Sequence, residues 1–126
     1  MKIVVQRVKE AKVEVDNEIV GKIEKGFLVL IGITHTDTKE NADYLVKKLC
    51  NLRVFSDEEG KMNKALKDVG GKLLLISQFT LYSNCLQGNR PSFIEAARPE
   101  QANELYEYFC EECKKNDIVV EKGVFG

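Results

Sequence analysis

The stretch Phe27-Leu28-Val29-Leu30-Ile31-Gly32-Ile33, opened by Gly26, is a continuous apolar run of strand length. A strand apolar at every position has no side suited to water, which predicts burial on both faces and a central place in a sheet. A second run, Lys72-Leu73-Leu74-Leu75-Ile76-Ser77-Gln78-Phe79-Thr80-Leu81-Tyr82, is wholly apolar after Lys72 and then turns polar and aromatic at Ser77. It reads as one further buried strand over 72–82. A chain of 126 residues with such strands predicts a single core, hence one domain over 1–126.

The remaining elements group around these two. Residues 2–9 and 11–15 read as strands carrying Val5, Val8, Val13 and Val15; Asp16-Asn17 is a turn signal, and an antiparallel hairpin resumes over 18–23. Asp37 with Glu40 three positions on resembles a capping box, and Ala42, Leu45, Val46 and Leu49 recur at helical spacing, predicting a helix over 38–50. Residues 51–55 lead to a turn at Asp57-Glu58-Glu59-Gly60, and Lys61-Met62-Asn63 begins an irregular connection ending at Gly70-Gly71. After a loop through Gly88-Asn89-Arg90-Pro91, Pro99 starts a second helix with Ala102, Leu105, Tyr106, Phe109 and Cys113 on one stripe. A short strand over 118–121 closes the pattern. The class is α+β, with antiparallel-rich sheets covered by two helices.

Composition narrows the function. At 44% hydrophobic and 31% charged, the chain lies far from the disordered regime. Charge alternates with apolarity from Lys2, leaving neither a signal-peptide core nor a membrane span, so the cytoplasm is the expected location. Cys50, Cys85, Cys110 and Cys113 are then expected as reduced thiols; the one C-x-x-C sits in a helical segment without the second ligand pair that structural zinc needs. His35 reads as a loop histidine, since no Ser, Cys or metal-ligand constellation demands it. Residues 44–94 carry eight Lys/Arg against four Asp/Glu, and residues 95–126 the reverse. A phosphate-contacting surface would therefore draw on Lys47, Lys48, Arg53, Lys61, Lys64, Lys67, Lys72 and Arg90, the plain alternative being a solvated helix face and loop.

Five patches carry a more specific signal: Val5-Gln6-Arg7-Val8, residues 51–55, Gly60-Lys61-Met62-Asn63, Ser77-Gln78-Phe79-Thr80-Leu81-Tyr82, and Gly88-Asn89-Arg90-Pro91-Ser92-Phe93. In this order they resemble the D-aminoacyl-tRNA deacylase (D-tyrosyl-tRNA deacylase) family, and the likeness runs from Met1 to Gly126. The resemblance implies a deacylase-type fold with barrel-like sheets. It also implies a homodimeric esterase, without metal or other cofactor, that removes D-amino acids from tRNA, with glycine as a further candidate substrate. An aminoacyl ester is activated and carries a neighbouring ribose hydroxyl. Positioning and backbone stabilisation of the oxyanion can therefore suffice without a strong protein base.

Site residues follow by carry-over. The backbone at Gln78 and Phe79 would face the scissile carbonyl, with Ser77 and Thr80 beside it. Thr80 is either a nucleophile or, as the lack of a nearby base favours, a positioning group. Arg7 matches the family arginine that holds the chirality-selecting loop, against a plain strand-edge charge. Met62 and Asn63 line an adenosine pocket, or else form a turn over the core. Family members continue past Phe125-Gly126 into a strand and a Gly–cis-Pro turn that rejects L-amino acids. Here the prolines are Pro91 and Pro99, neither after glycine, so the expectation is a C-terminally truncated deacylase or else a natural variant of altered selectivity. The rival reading is a noncatalytic RNA- or protein-binding module on the same fold.

Overall fold

The computed structural model describes residues 1–83 and 89–123. In chain order these form β1 (Lys2–Val8), β2 (Ala11–Val15), β3 (Glu18–Ile23), β4 (Gly26–Gly32), α1 (Lys39–Asn51), β5 (Phe55–Ser56), β6 (Met62–Lys64), β7 (Lys72–Ser77), α2 (Pro99–Lys114) and β8 (Val120–Lys122). Short 3-10 turns lie at Lys67–Val69 and Phe79–Tyr82. The main sheet has the order β1-β4-β7-β8. β4 is flanked on both sides, antiparallel to β1 and parallel to β7, which explains its unbroken apolar run. β2 and β3 form the expected hairpin, whose Asp16 and Asn17 adopt φ of 51° and 66°, the left-handed pair a tight two-residue turn requires.

Alternation along the strands assigns the faces. Phe27, Val29 and Ile31 of β4 and Leu73 and Leu75 of β7 are fully buried with Ala42, Val46 and Leu49 of α1 and Leu105, Tyr106 and Phe109 of α2. Both helices therefore cover one face. On the other, Leu74 lies against Gly21 of β3. The Tyr106 hydroxyl donates to the Leu75 carbonyl at 2.6 Å, and burial raises its pKa, keeping it a neutral donor. Cys50, Cys110 and Cys113 are free and buried, whereas Cys85 lies outside the described residues.

Three local expectations change. α1 begins at Lys39, and its N-cap is Thr38, whose N–H donates to Asn41 Oδ1 at 2.8 Å. Asp37 and Glu40 do not form the box. The Asp37 carboxylate instead accepts from the Thr34 N–H at 2.8 Å and from the Met1 ammonium at 2.5 Å. The second apolar strand ends at Ser77 rather than 82, because the chain turns into a 3-10 conformation once Gln78 has made its bond to β4. Met62 and Asn63, expected in an irregular connection, form β6; the Asp57 carboxylate accepts from the Glu59 and Lys61 N–H groups, and Gly60 at φ 79° reverses the chain into it.

Candidate active site

β4 and β7 run in parallel and end level, with Ile31 opposite Ser77. Beyond that level, the Ala97 N–H donates to the Ile33 carbonyl at 2.9 Å and Thr34 bridges to Ala96, drawing the segment before α2 alongside. His35 Nε2 meets the Ile94 carbonyl at 2.6 Å, and Gln101 Nε2 donates to the His35 carbonyl at 2.9 Å. His35 thus ties a loop to its neighbours, the loop role expected for it. Between these walls lies a cleft of about 460 Å³ lined by Ile33, Ser77, Gln78, Phe79, Phe93, Ala96, Ala97, Pro99 and Ala102. This volume suits a small organic group. Phe79 is 55% exposed and meets Phe93 edge-on, with ring centroids 5.0 Å apart.

The polar groups of this end are few and local. The Gln78 N–H is committed to the Ile31 carbonyl at 2.8 Å, completing the ladder. Of the backbone expected to face the scissile carbonyl, Gln78 thus has its N–H engaged, while the N–H groups of Phe79 and Thr80 open the 3-10 turn and find no acceptor among the described residues. Gln78 Nε2 donates to Thr80 Oγ1 at 2.5 Å. No carboxylate or imidazole partners the Thr80 hydroxyl among the described residues. Lys2 Nζ lies 4.6 Å from the Tyr82 ring centroid and 3.4 Å from the Leu81 carbonyl, bracing the far side of the turn.

Within one chain, Ser77, Gln78, Phe79 and Thr80 come together, and Arg7, Met62 and Asn63 do not join them. Arg7 pairs in register with Phe27, at the opposite end of β4, and its Nη1 donates to the Val54 carbonyl at 2.5 Å. Phe55 stacks on Phe27 there, centroids 5.2 Å apart, and brings the β5–β6 hairpin to the same end. Asn63 Nδ2 donates to Asp57 Oδ2 at 2.9 Å, and Met62 is 62% exposed. Phe93, Ile33, Ala97 and Ala102 were not foreseen as lining. Phe93 closes one of the five sequence patches, and that was its only signal; Gly88 of the same patch lies outside the described residues.

The profile of the D-Tyr-tRNA(Tyr) deacylase family matches residues 4–126. A D-aminoacyl-tRNA deacylase of Fusobacterium nucleatum subsp. nucleatum is 58% identical over 126 residues, all of this chain and 83% of the relative. One of Thermus aquaticus is 55% identical, with the same coverage. Among solved structures, a c-Myc DNA unwinding element binding protein superposes with a TM-score of 0.92 at 42% identity, over 100% of this chain and 86% of that one. A probable eukaryotic D-amino acid tRNA deacylase, at 18% identity and a TM-score of 0.79 over 98% of this chain and 88% of its own, shares the fold.

Proposed function

This chain belongs to the D-Tyr-tRNA(Tyr) deacylase family, and from that premise we propose that it hydrolyses the ester between a D-amino acid and the terminal ribose of tRNA. The observation that carries the reading is the cleft at the ends of β4 and β7, lined by Ser77, Gln78 and Phe79, where the 3-10 turn opens with the N–H groups of Phe79 and Thr80 uncommitted among the described residues. Water attacks the ester carbonyl carbon, and the carbonyl oxygen becomes an oxyanion. The Phe79 and Thr80 N–H groups are the donors suited to that charge, each supplying on the order of 10²–10³ in rate. Collapse breaks the bond to the ribose oxygen, which takes up a proton and leaves as the free tRNA hydroxyl. The neighbouring ribose hydroxyl assists the proton transfers, while Gln78 and Thr80 hold the turn in place through their mutual hydrogen bond.

Glycyl-tRNA, which has no Cβ to sort, is a second substrate in this reading. The protein acts in the cytoplasm as a homodimer. The β2–β3 hairpin leaves Val15, Ile19 and Val20 exposed, apolar surface that a second copy could cover in part. The dimer also gives Arg7, Met62 and Asn63 a route to a site, by facing the partner's cleft. The competing reading, a noncatalytic nucleic-acid-binding module, draws on the DNA-binding name of the 42%-identical structure. Incubation with matched D- and L-tyrosyl-tRNA decides between them. Rapid ester loss from the D form, with the L form spared, is expected; tRNA binding without ester loss would overturn the catalytic reading.

A further inference from the structure

We infer that a groove at the C-terminal end of α1, walled by Tyr44, Lys47, Lys48 and Arg53, grips the sugar-phosphate backbone of the tRNA acceptor arm. The inference rests on the deacylase reading and adds where the body of the substrate lies. Tyr44, Lys47, Lys48 and Asn51 recur at spacings of three and four, so they share one face of α1. The groove they form with Leu52 and Arg53 has a volume of about 650 Å³. Tyr44 is 62% exposed, and Lys48 Nζ lies 5.7 Å from its ring centroid. An exposed ring flanked by cations is the combination that stacks on bases while tracking phosphates.

Lysines on an exposed helix face are ordinarily just solvated. What sets these apart is their grouping: Lys47, Lys48 and Arg53 line one groove with Tyr44, Asn51 and Leu52, with no carboxylate in that lining, and make no ion pair among the described residues. The groove also lies in the helical layer that borders the cleft, since α1 and α2 cover the same face of the sheet and Pro99 and Ala102 of α2 line the cleft.

The test compares wild type with K47E/K48E/R53E, all exposed positions outside the cleft, and with the neutral K47A/K48A/R53A as a control for folding and repulsion. Affinity for uncharged tRNA is measured across a salt series, alongside hydrolysis of D-aminoacyl-tRNA and of the short substrate D-aminoacyl-adenosine. Both variants should bind tRNA at least about 10-fold more weakly, and the neutral one should lose roughly 2–3 units of the log-affinity against log-salt slope. KM for charged tRNA should rise while turnover of the short substrate is unchanged. Tyr44→Ala should weaken tRNA binding several-fold through lost stacking. Unchanged tRNA affinity and slope in both triple variants would overturn the groove. Failure of the wild type to cleave either ester would instead overturn the deacylase reading, and the binding series would still decide the groove.

Discussion

Both ends of β4 are closed by glycine, yet the two glycines face different neighbours. At Gly26 a Cβ would overlap the Lys72 carbonyl oxygen and lie 2.6 Å from the Lys72 nitrogen, both backbone atoms of the adjoining parallel strand. At Gly32 it would lie 2.7 Å from Leu81 Cβ, in the 3-10 turn beside the cleft. The first end is a rigid junction where β7 begins, the Phe27–Phe55 stack is seated and Arg7 holds the Val54 carbonyl. At the second, strands give way to a turn, a loop and a hollow. One end anchors the fold, and the other presents the chemistry.

The largest effect that would test this contrast is Gly26→Ala. Backbone of a paired strand cannot move aside without breaking the ladder, so the substitution should destabilise by about 3 kcal/mol or more. Urea unfolding should show a lowered midpoint and little soluble protein, with no selective loss of activity in what folds. Normal stability would mean that the anchor end yields more readily than this packing implies.

Gly32→Ala should reverse the balance. Here the obstacle is a Leu81 side chain rooted in a short turn, and the turn can shift by a few tenths of an ångström. Stability should fall by about 1–2 kcal/mol. The displaced Phe79 and Thr80 N–H groups should lower the rate on D-aminoacyl-tRNA by roughly 10- to 100-fold, the scale of a misplaced catalytic geometry. Parallel measurements of kcat and urea midpoint on the two variants check the pair. An active Gly32→Ala enzyme would separate the turn from the chemistry.

The anchor end was the more legible in sequence. A seven-residue apolar run opened by Gly26 is too short for most buried helices and of strand length, and the 3.6-residue periodicities of α1 and α2 named their buried faces. Asp37 misled because its spacing to Glu40 mimics a capping box, while its carboxylate is drawn by the Met1 ammonium across 36 residues of chain. The strand through Tyr82 ran too far for a similar reason: Phe79, Leu81 and Tyr82 favour strands locally, and only the place where β4 stops supplying partners decides where β7 ends. At the cleft, the chemistry-bearing run from Ser77 to Thr80 was visible as a change of character. Its lining was not, since Ile33, Ala97 and Ala102 look like any core residue until the fold sets them around a hollow.

The smallest effect concerns Thr80 itself. Its hydroxyl accepts a hydrogen bond from Gln78 Nε2, and among the described residues neither a carboxylate nor an imidazole partners it to take its proton. A threonine hydroxyl without a base is a poor nucleophile, whereas its backbone N–H survives substitution by alanine. Thr80→Ala should therefore keep kcat within about 10-fold of wild type, losing only the brace on Gln78, because an orienting hydrogen bond is worth about 1 kcal/mol. A substrate ending in 2′-deoxyadenosine, with the ester on the 3′ oxygen, should by contrast react slowly with both proteins, since it lacks the hydroxyl that helps move the proton. Single-turnover hydrolysis of the four enzyme and substrate pairs separates the roles. A dead Thr80→Ala enzyme together with an unaffected deoxy substrate would make Thr80 the nucleophile, and the cleft end would then hold a reactive side chain as well as a backbone cradle.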